Sequence, residues 1–416
     1  MSQARKTLWL DVRQALGQLS HHRLRTALTL LGMVFGVGAV IAMLAVSEGG
    51  KRQALEMIEG MGLRNIIVEK QDADGEALKE VRKYSAGLSL RDADAAARTL
   101  PFIDRWAGSR EFQTWSLFSR FGDSRAKVMA VSPDYFAMTS LDAARGTLFG
   151  EDDDRRFAQV AVLGGEAARA LFPNGDALGG FVKINHLWVR VIGVLADRQL
   201  SNSEFQGRQV GGESDQVFIP LQTGLSRLRK DALSAELDAV KFGLASTVTP
   251  GAGSAAIDHL LRRRHSEQDD YEITVPARLL AQHQQTQRIF TIVMSAVAGI
   301  SLLVGGIGIM NIMLASVMER KSEIGLLRAL GARENDVVRQ FLIETLVIAL
   351  LGAGLGVVLG VVMAYVIAAF AGWAVAWSIV VILFAIITCV LIAVGFGVYP
   401  ALSAARLDPV LALQSD

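Results

Sequence analysis

Only one cysteine, Cys389, occurs in the 416 residues, so the fold can contain neither an intrachain disulfide nor a cysteine-rich metal site. A basic excess is missing too. The 42 Lys and Arg against 41 Asp and Glu leave a formal net charge of +1, too little to drive binding to a phosphate backbone, which argues against nucleic acid as a partner. No G-x-x-x-x-G-K-[ST] phosphate loop occurs. The only Gly-Lys pair, Gly50-Lys51, follows an apolar segment and precedes Arg52, so the chain is not expected to hydrolyse ATP itself. The six histidines, His21, His22, His186, His259, His265 and His283, show no H-E-x-x-H or comparable ligand spacing and read as surface or interfacial side chains. No catalytic, cofactor-binding or metal-binding residue is assigned.

What the chain does have is apolar residues in unbroken runs. It is 51% hydrophobic and 20% charged, with a mean hydropathy of +0.34. That is too apolar for an ordinary soluble enzyme and too charged for a compact all-membrane bundle. A helix crossing a hydrocarbon core needs ~20 consecutive apolar residues. Three windows without a charged residue qualify: Thr26–Ser47 with 22 residues, Ile289–Met318 with 30 and Thr345–Ala405 with 61. The last is long enough for two helices joined by a turn at 371–378, where Trp373 and Trp377 sit at interfacial depth. Four spans follow: 26–47, 289–318, 345–370 and 379–403. The first exceeds the ~7–15 apolar residues of a signal-peptide core, which favours an uncleaved anchor.

Orientation follows from the basic residues. Arg5, Lys6, Arg13, Arg23 and Arg25 precede the first span, and Arg320, Lys321, Arg328, Arg333 and Arg339 separate the second from the third. The positive-inside rule then places the N-terminal segment 1–25, the loop 319–344 and the tail 404–416 in the cytoplasm. Residues 48–288 lie on the other side. That segment of 241 residues carries 31 basic and 33 acidic side chains, the composition of a folded soluble domain large enough to bury its own core.

Short β-rich runs at Asn65–Val68, Lys127–Val131, Gln159–Leu163, Phe181–Ile184, Trp188–Leu195 and Val217–Ile219 alternate with helix-like Gly165–Leu171 and Ala255–Arg264, predicting an α+β or α/β domain. The polar stretch Ser201–Asp215 reads as a mobile loop. Glu48–Met61 and Pro276–Arg288 are helix-compatible and continue the first two spans outward as a stalk.

The apolar cores of the spans contain no charged residue of the kind that marks an ion or substrate pathway. Glu344 stands at the cytoplasmic edge of the third span, within expected reach of Arg339 or Arg333. Glycines at close-packing spacing are present instead: Gly32 and Gly36, then Gly352, Gly356 and Gly360, with a cluster at Gly305, Gly306 and Gly308. Such spacing favours packing within the membrane or dimerisation.

The loop between the second and third spans is the most informative stretch. Ile324, Leu327 and Leu330 follow one another at three-residue intervals on a short helix, ending at Gly331, which suits a left-handed C-cap. A short amphipathic helix tied to two spans is built to dock in a partner's groove, or to lie on headgroups. The run MNIMLASVMERKSEIGLLRALGAR, with GVYPALSAARLDPVLAL near the C-terminus, resembles the permease module of MacB/FtsX/LolC-type ABC transporters. VSPDYFAMTSLDAARGTLFGEDD and WVRVIGVLAD are similar to the MacB-type periplasmic core domain.

The resemblance implies an α-helical membrane protein with four transmembrane helices and a large extracytoplasmic α+β domain, the type VII ABC transporter fold, in a bacterial inner membrane. It implies a homodimeric or heterodimeric permease that relays motion from a dimer of separate ATPase subunits, with ATP and Mg bound by those subunits and no cofactor in this chain. Glu323, Ile324, Gly325, Leu327, Arg328, Leu330 and Gly331 are the implied ATPase-coupling residues, and Gly32, Gly36, Gly352, Gly356 and Gly360 the residues packing the spans. A MacB protein carries its ATPase at its own N-terminus, whereas this sequence has 25 residues before the first span, so the ATPase is expected from another gene. Efflux with a periplasmic adaptor and an outer-membrane channel is the implied role. Lipoprotein extraction, and an FtsX-like module that activates a cell-wall hydrolase, are the variants it also allows. A membrane-anchored enzyme would require a titratable cluster in the external domain, and no residue spacing points to one.

Overall fold

The computed structural model describes residues 23–71, 75–173, 175–197, 203–205, 208–210, 212–231, 233–371, 375–408 and 412. The expectations for Arg5, Lys6, Arg13, His21, His22, Gly372, Trp373 and most of the tail lie outside the described residues. The chain divides into two compact units, Ala54–His283 and the combination of Met1–Gln53 with Gln284–Asp416. In chain order the elements are α1 (Arg23–Met61), β1 (Asn65–Lys70), α2 (Gly75–Val81), α3 (Leu90–Thr99), β2 (Ile103–Phe112), β3 (Leu117–Ser119), β4 (Lys127–Val131), α4 (Asp134–Met138), β5 (Ala143–Gly146), α5 (Glu151–Arg155), β6 (Val160–Leu163), α6 (Gly165–Leu171) and β7 (Phe181–Ile184). They continue with β8 (Leu187–Leu195), β9 (Ser203–Phe205), β10 (Arg208–Val210), β11 (Gln216–Pro220), α7 (Leu221–Arg227), β12 (Ala239–Leu244), α8 (Pro250–Arg264), β13 (Tyr271–Thr274), α9 (Pro276–Glu319), α10 (Lys321–Ala329), α11 (Glu334–Ala371) and α12 (Ile379–Ala405).

In the first unit, an 11-stranded mixed sheet runs in the order β13-β1-β12-β2-β4-β11-β6-β8-β7-β3, with β5 on β8. The pairs β4–β11 and β6–β8 are parallel and the others antiparallel. Strand β8 shows why it forms: Leu187, Val189, Val191 and Leu195 are buried while Trp188 and Arg190 face out, the period of two that half-buries a strand. The four residues of β6 are all buried, because both faces of the sheet are covered there. Ala161 and Leu163 enter one core, with Ile257 and Leu261 of α8. Val160 and Val162 enter another, where Phe136 meets Phe149 edge-on at 4.9 Å and Phe218 at 5.7 Å.

Helix α8 starts five residues earlier than the sequence pattern suggests, because Pro250 supplies a preset φ at the first turn and the Thr249 hydroxyl accepts from Ala252 N–H at 3.4 Å. The stretch read as a mobile loop, Ser201–Asp215, contains a hairpin of β9 and β10 followed by a single helical turn at Glu213–Asp215. A hairpin satisfies backbone donors that a loop would leave to water.

In the second unit, four helices are long and apolar enough to cross a membrane, within Leu31–Leu55, Pro276–Glu319, Glu334–Phe370 and Ile382–Ala405. Helices α1 and α9 extend as regular helix through Glu48–Met61 and Pro276–Arg288, as expected from the sequence.

Glycine lets their backbones approach. A Cβ on Gly32 would lie 3.3 Å from the Cα of Gly305, and one on Gly36 would lie 3.1 Å from Leu302, so these two residues seat α9 against α1. Gly38, which the four-residue spacing misses, faces the other neighbour: a Cβ there would lie 3.2 Å from the Gly356 carbonyl oxygen. A Cβ on Gly360 would lie 2.8 Å from the Gly38 carbonyl oxygen. Gly352 is buried as well. Gly32, Gly36, Gly356 and Gly360 thus pack the chain against itself. After α11, Ala376 N–H donates to the Ala45 carbonyl at 3.2 Å and Trp377 lies against Tyr365 with ring centroids 5.6 Å apart.

Candidate coupling site

Helix α9 ends at Glu319, Arg320 is the N-cap of the nine-residue α10, and the helix closes through the C-cap Leu330 at Gly331. Gly331 has φ +100°, its N–H donates to the Arg328 carbonyl at 3.1 Å and Ala332 N–H reaches back to the Leu327 carbonyl at 3.1 Å. This pair of bonds closes a helix only when the following residue is left-handed, which is what Gly331 provides. Arg328 Nη2 then holds Glu334 Oε1 at 3.3 Å, and Asp336 Oδ2 accepts the backbone N–H of Arg333 at 3.1 Å. Helix α10 is therefore fastened at both ends to its neighbours.

The apolar residues of α10 do not form the single stripe that the three-residue spacing suggests. Ile324 is 4% exposed and, with Val337 and Phe341, belongs to the core of its unit; Gly325 is buried with it. Leu326, Leu327 and Leu330 are 53%, 44% and 78% exposed. Each three-residue step falls about 60° short of a full turn, so Leu330 stands about 120° round the helix from Ile324. The correction is to the two roles: Ile324 and Gly325 anchor the helix, and Leu326, absent from the sequence-derived set, joins Leu327, Leu330 and the exposed Glu323 on the outward face. Arg328 is half-buried on the anchoring side.

Glu344 is also placed differently from expectation. It is buried, and its partner is Arg320 rather than Arg339 or Arg333: Arg320 Nη1 lies 3.5 Å from Glu344 Oε1, while Arg320 Nε donates to Glu323 Oε2 at 3.0 Å. One arginine thus joins α10 to α11.

The other unit contains two polar constellations. His265, read from sequence as a surface or interfacial residue, is 2% exposed. Its Nδ1 lies 2.6 Å from Asp270 Oδ1 and 3.1 Å from Ser85 Oγ, and its Nε2 lies 3.5 Å from Asp92 Oδ2. Ser85 Oγ donates to Asp270 Oδ2 at 2.6 Å, Arg82 Nη1 lies 3.2 Å from the same oxygen, and Arg264 Nε donates to Asp92 Oδ1 at 2.6 Å. Burial works against charge on His265, but the bonds to Asp270 and Asp92 prevail and push its pKa up to about 9. Burial opposes ionisation of Asp92 too, yet His265, Ser89 and Arg264 hold it at about 2. A histidine that keeps its proton this firmly pins strands and helices together and is a poor general base.

The second constellation lines a cavity of about 720 Å³ whose walls include Glu69, Glu111, Lys127, Tyr135, Asp238 and Lys241. Lys241 Nζ sits 4.5 Å over the Tyr135 ring, and burial draws its pKa down to about 8. Lys127 pairs with Glu111 at 3.5 Å and Lys70 with Asp238 at 3.1 Å. Among the described residues that line it there is no histidine or cysteine. Among the described residues of the whole chain, no group of three or more His, Cys, Asp or Glu is placed to hold a metal ion.

The family described as MacB-like periplasmic core domain matches residues 26–262, and the FtsX-like permease C-terminal family matches residues 295–409. The macrolide export ATP-binding/permease protein MacB of Azoarcus sp. (strain BH72) is 37% identical over 408 residues, covering 97% of this chain and 59% of that protein. That of Shewanella sp. (strain W3-18-1) is 35% identical over 406 residues, covering 96% and 60%. The chain thus spans about 60% of the length of the relatives it matches. The solved periplasmic region of MacB from Actinobacillus actinomycetemcomitans matches with a TM-score of 0.43 and 21% identity, covering 56% of this chain and 97% of that one.

Proposed function

Because this chain belongs to the family of MacB-like ABC transporter permeases with an FtsX-like C-terminal region, we propose that it relays conformational change from a separate ATPase dimer to its large extracytoplasmic domain. The observation that carries this reading is the split face of α10. Ile324, Gly325 and the Arg320–Glu344 pair fix the helix to the membrane unit, and Leu326, Leu327 and Leu330 project outward with none of the described residues covering them. Exposed leucines on a rigidly held helix fit a partner's apolar groove.

The spans support the same reading. Their apolar windows hold no charged side chain, so they offer no polar route for a solute. The 416 residues contain no phosphate loop, so the nucleotide site lies on a protein or segment outside them. The relatives' printed activity, macrolide export, favours efflux or extraction of a substrate from the extracytoplasmic side, with the cytoplasmic loop and termini facing the ATPase in a bacterial inner membrane. A second copy of the chain, a periplasmic adaptor and an outer-membrane channel complete the proposed assembly.

The test is a photo-reactive amino acid placed at Leu327 or Leu330 in cells producing the full chain. Cross-linking to a protein with a phosphate-loop motif, lost when the probe is moved to the opposite side of the helix, is the expected result. ATP hydrolysis by the purified chain alone, or capture only of proteins lacking that motif, would overturn the reading.

A further inference from the structure

The start of α11 and the adjoining part of α12 enclose an open groove of about 380 Å³, lined by Asn335, Val338, Arg339, Leu342, Ile343, Leu346 and Val394. Its chemistry is graded along the helix. Asn335 and Arg339 are exposed at the end nearest α10, and from there Leu342, Ile343 and Leu346 descend at helical spacing into the apolar span. All three, with Val338 and Val394, are half-buried side chains that form walls rather than a sealed core.

Arg339 at its mouth has no ion-pair partner among the described residues. Of the acidic residues in the first turn, Glu334 is held by Arg328 at 3.3 Å, and Asp336 accepts the Arg333 backbone N–H at 3.1 Å. Glu344, farther along, is paired with Arg320. Among the described residues, no carboxylate lies within ion-pair distance of Arg339. An arginine fork with free donors at the edge of a hydrocarbon layer, directly above an apolar channel, is complementary to a phosphate ester that carries an acyl chain.

We propose that this groove is a binding site for an anionic phospholipid, with the phosphate on Arg339 and Asn335 and one acyl chain along Leu342, Ile343, Leu346 and Val394. The occupant is a lipid rather than a protein segment because the apolar floor belongs to two membrane helices, where acyl chains are the solvent, and because the arginine at the mouth has no carboxylate partner among the described residues.

Native mass spectrometry of the full-length protein tests this, after equilibration in non-ionic detergent with phosphatidylglycerol or with phosphatidylcholine of identical chains. Phosphatidylglycerol should be retained about fivefold more than phosphatidylcholine, the effect of about 1 kcal/mol for one arginine at a membrane surface. Arg339→Gln should abolish that preference and Arg339→Lys should keep it. Leu342→Trp, which fills the channel, should reduce retention of both lipids. Equal retention of the two lipids by the unaltered chain, or a preference unchanged in Arg339→Gln, would overturn the proposal. So would displacement of the lipid by millimolar inorganic phosphate, which would make this a free-anion site. Dissociation of a dimer by Leu342→Trp without lipid loss would show instead that the groove belongs to an interface between copies. Because none of these readouts involves an ATPase, the proposal can fail without touching the proposed relay.

Discussion

Arg320 Nη1 lies 3.5 Å from Glu344 Oε1, joining the N-cap of α10 to a buried carboxylate on α11. The same guanidinium holds Glu323 at 3.0 Å, so the two helices share one cation, and displacing α10 disturbs α11 through it. Neither carboxylate alone would fix that geometry; the shared arginine does.

Removing the arginine leaves a buried carboxylate without its counter-ion, a cost of about 2 kcal/mol after allowing for the partial exposure of the pair. Arg320→Ala should therefore lower the thermal unfolding midpoint of the detergent-solubilised chain, and Glu344→Gln in the same chain should restore part of the loss. Strict additivity of the two substitutions would show the residues to be uncoupled.

The two faces of α10 should respond differently to the same substitution. Ile324→Asp places a carboxylate in an apolar core and should cost about 3 kcal/mol or more, seen as a lower unfolding midpoint. Leu327→Asp and Leu330→Asp should change the stability by no more than about 0.5 kcal/mol and leave that midpoint nearly unmoved. Those two should nevertheless reduce recovery of the cross-linked ATPase. Equal unfolding for all three would restore the single-stripe view.

Glycine contacts between spans supply a third check. A side chain on Gly360 meets the Gly38 carbonyl oxygen and Ile41, whereas nothing lies within 4 Å of a Cβ on Gly354. Gly360→Val should destabilise by about 1–3 kcal/mol through overpacking, and Gly354→Ala should be tolerated. A disulfide cross-link between cysteines engineered on α1 and α11 would report the first loss directly.

The His265 network gives the domain a stability that depends on pH in two directions. His265 has its folded pKa raised to about 9 from 6.5, so its contribution is complete below 6.5 and disappears as pH rises through 9. Asp92 is lowered from 3.8 to about 2, so its contribution is complete above 3.8 and lost as pH falls through 2. Hydrogen exchange at β13 in the full chain should accelerate between pH 6.5 and 9 beyond the intrinsic chemical rate, and His265→Gln should flatten that dependence. A flat profile in the unaltered chain would remove the network from any role in stability.

How much of this was legible beforehand varied with the kind of signal. Strands β4 and β7 and helix α6 appear with the bounds their patterns suggest, since each carries its own periodicity. Strand β2 does not. Its buried residues run Ala107, Gly108, Ser109 and Arg110 in succession, and Arg110 is accommodated because its guanidinium donates to the carbonyls of Ala235 and Glu236 and to Ser234 Oγ. A strand stabilised by groups more than a hundred residues away leaves no mark in its own composition.

The sequence by itself determined where apolar chain had to be withdrawn from water, the four spans and the separate domain between the first two, because length and the absence of charge decide that locally. It also determined that α10 would stop at Gly331, since only a residue without a Cβ takes that conformation cheaply. Tertiary structure decided which way α10 faces, which cation meets Glu344, which neighbour each glycine of α1 touches, and that His265 is buried. Those outcomes depend on what the far side of each side chain meets, and that is fixed by packing between segments distant in sequence.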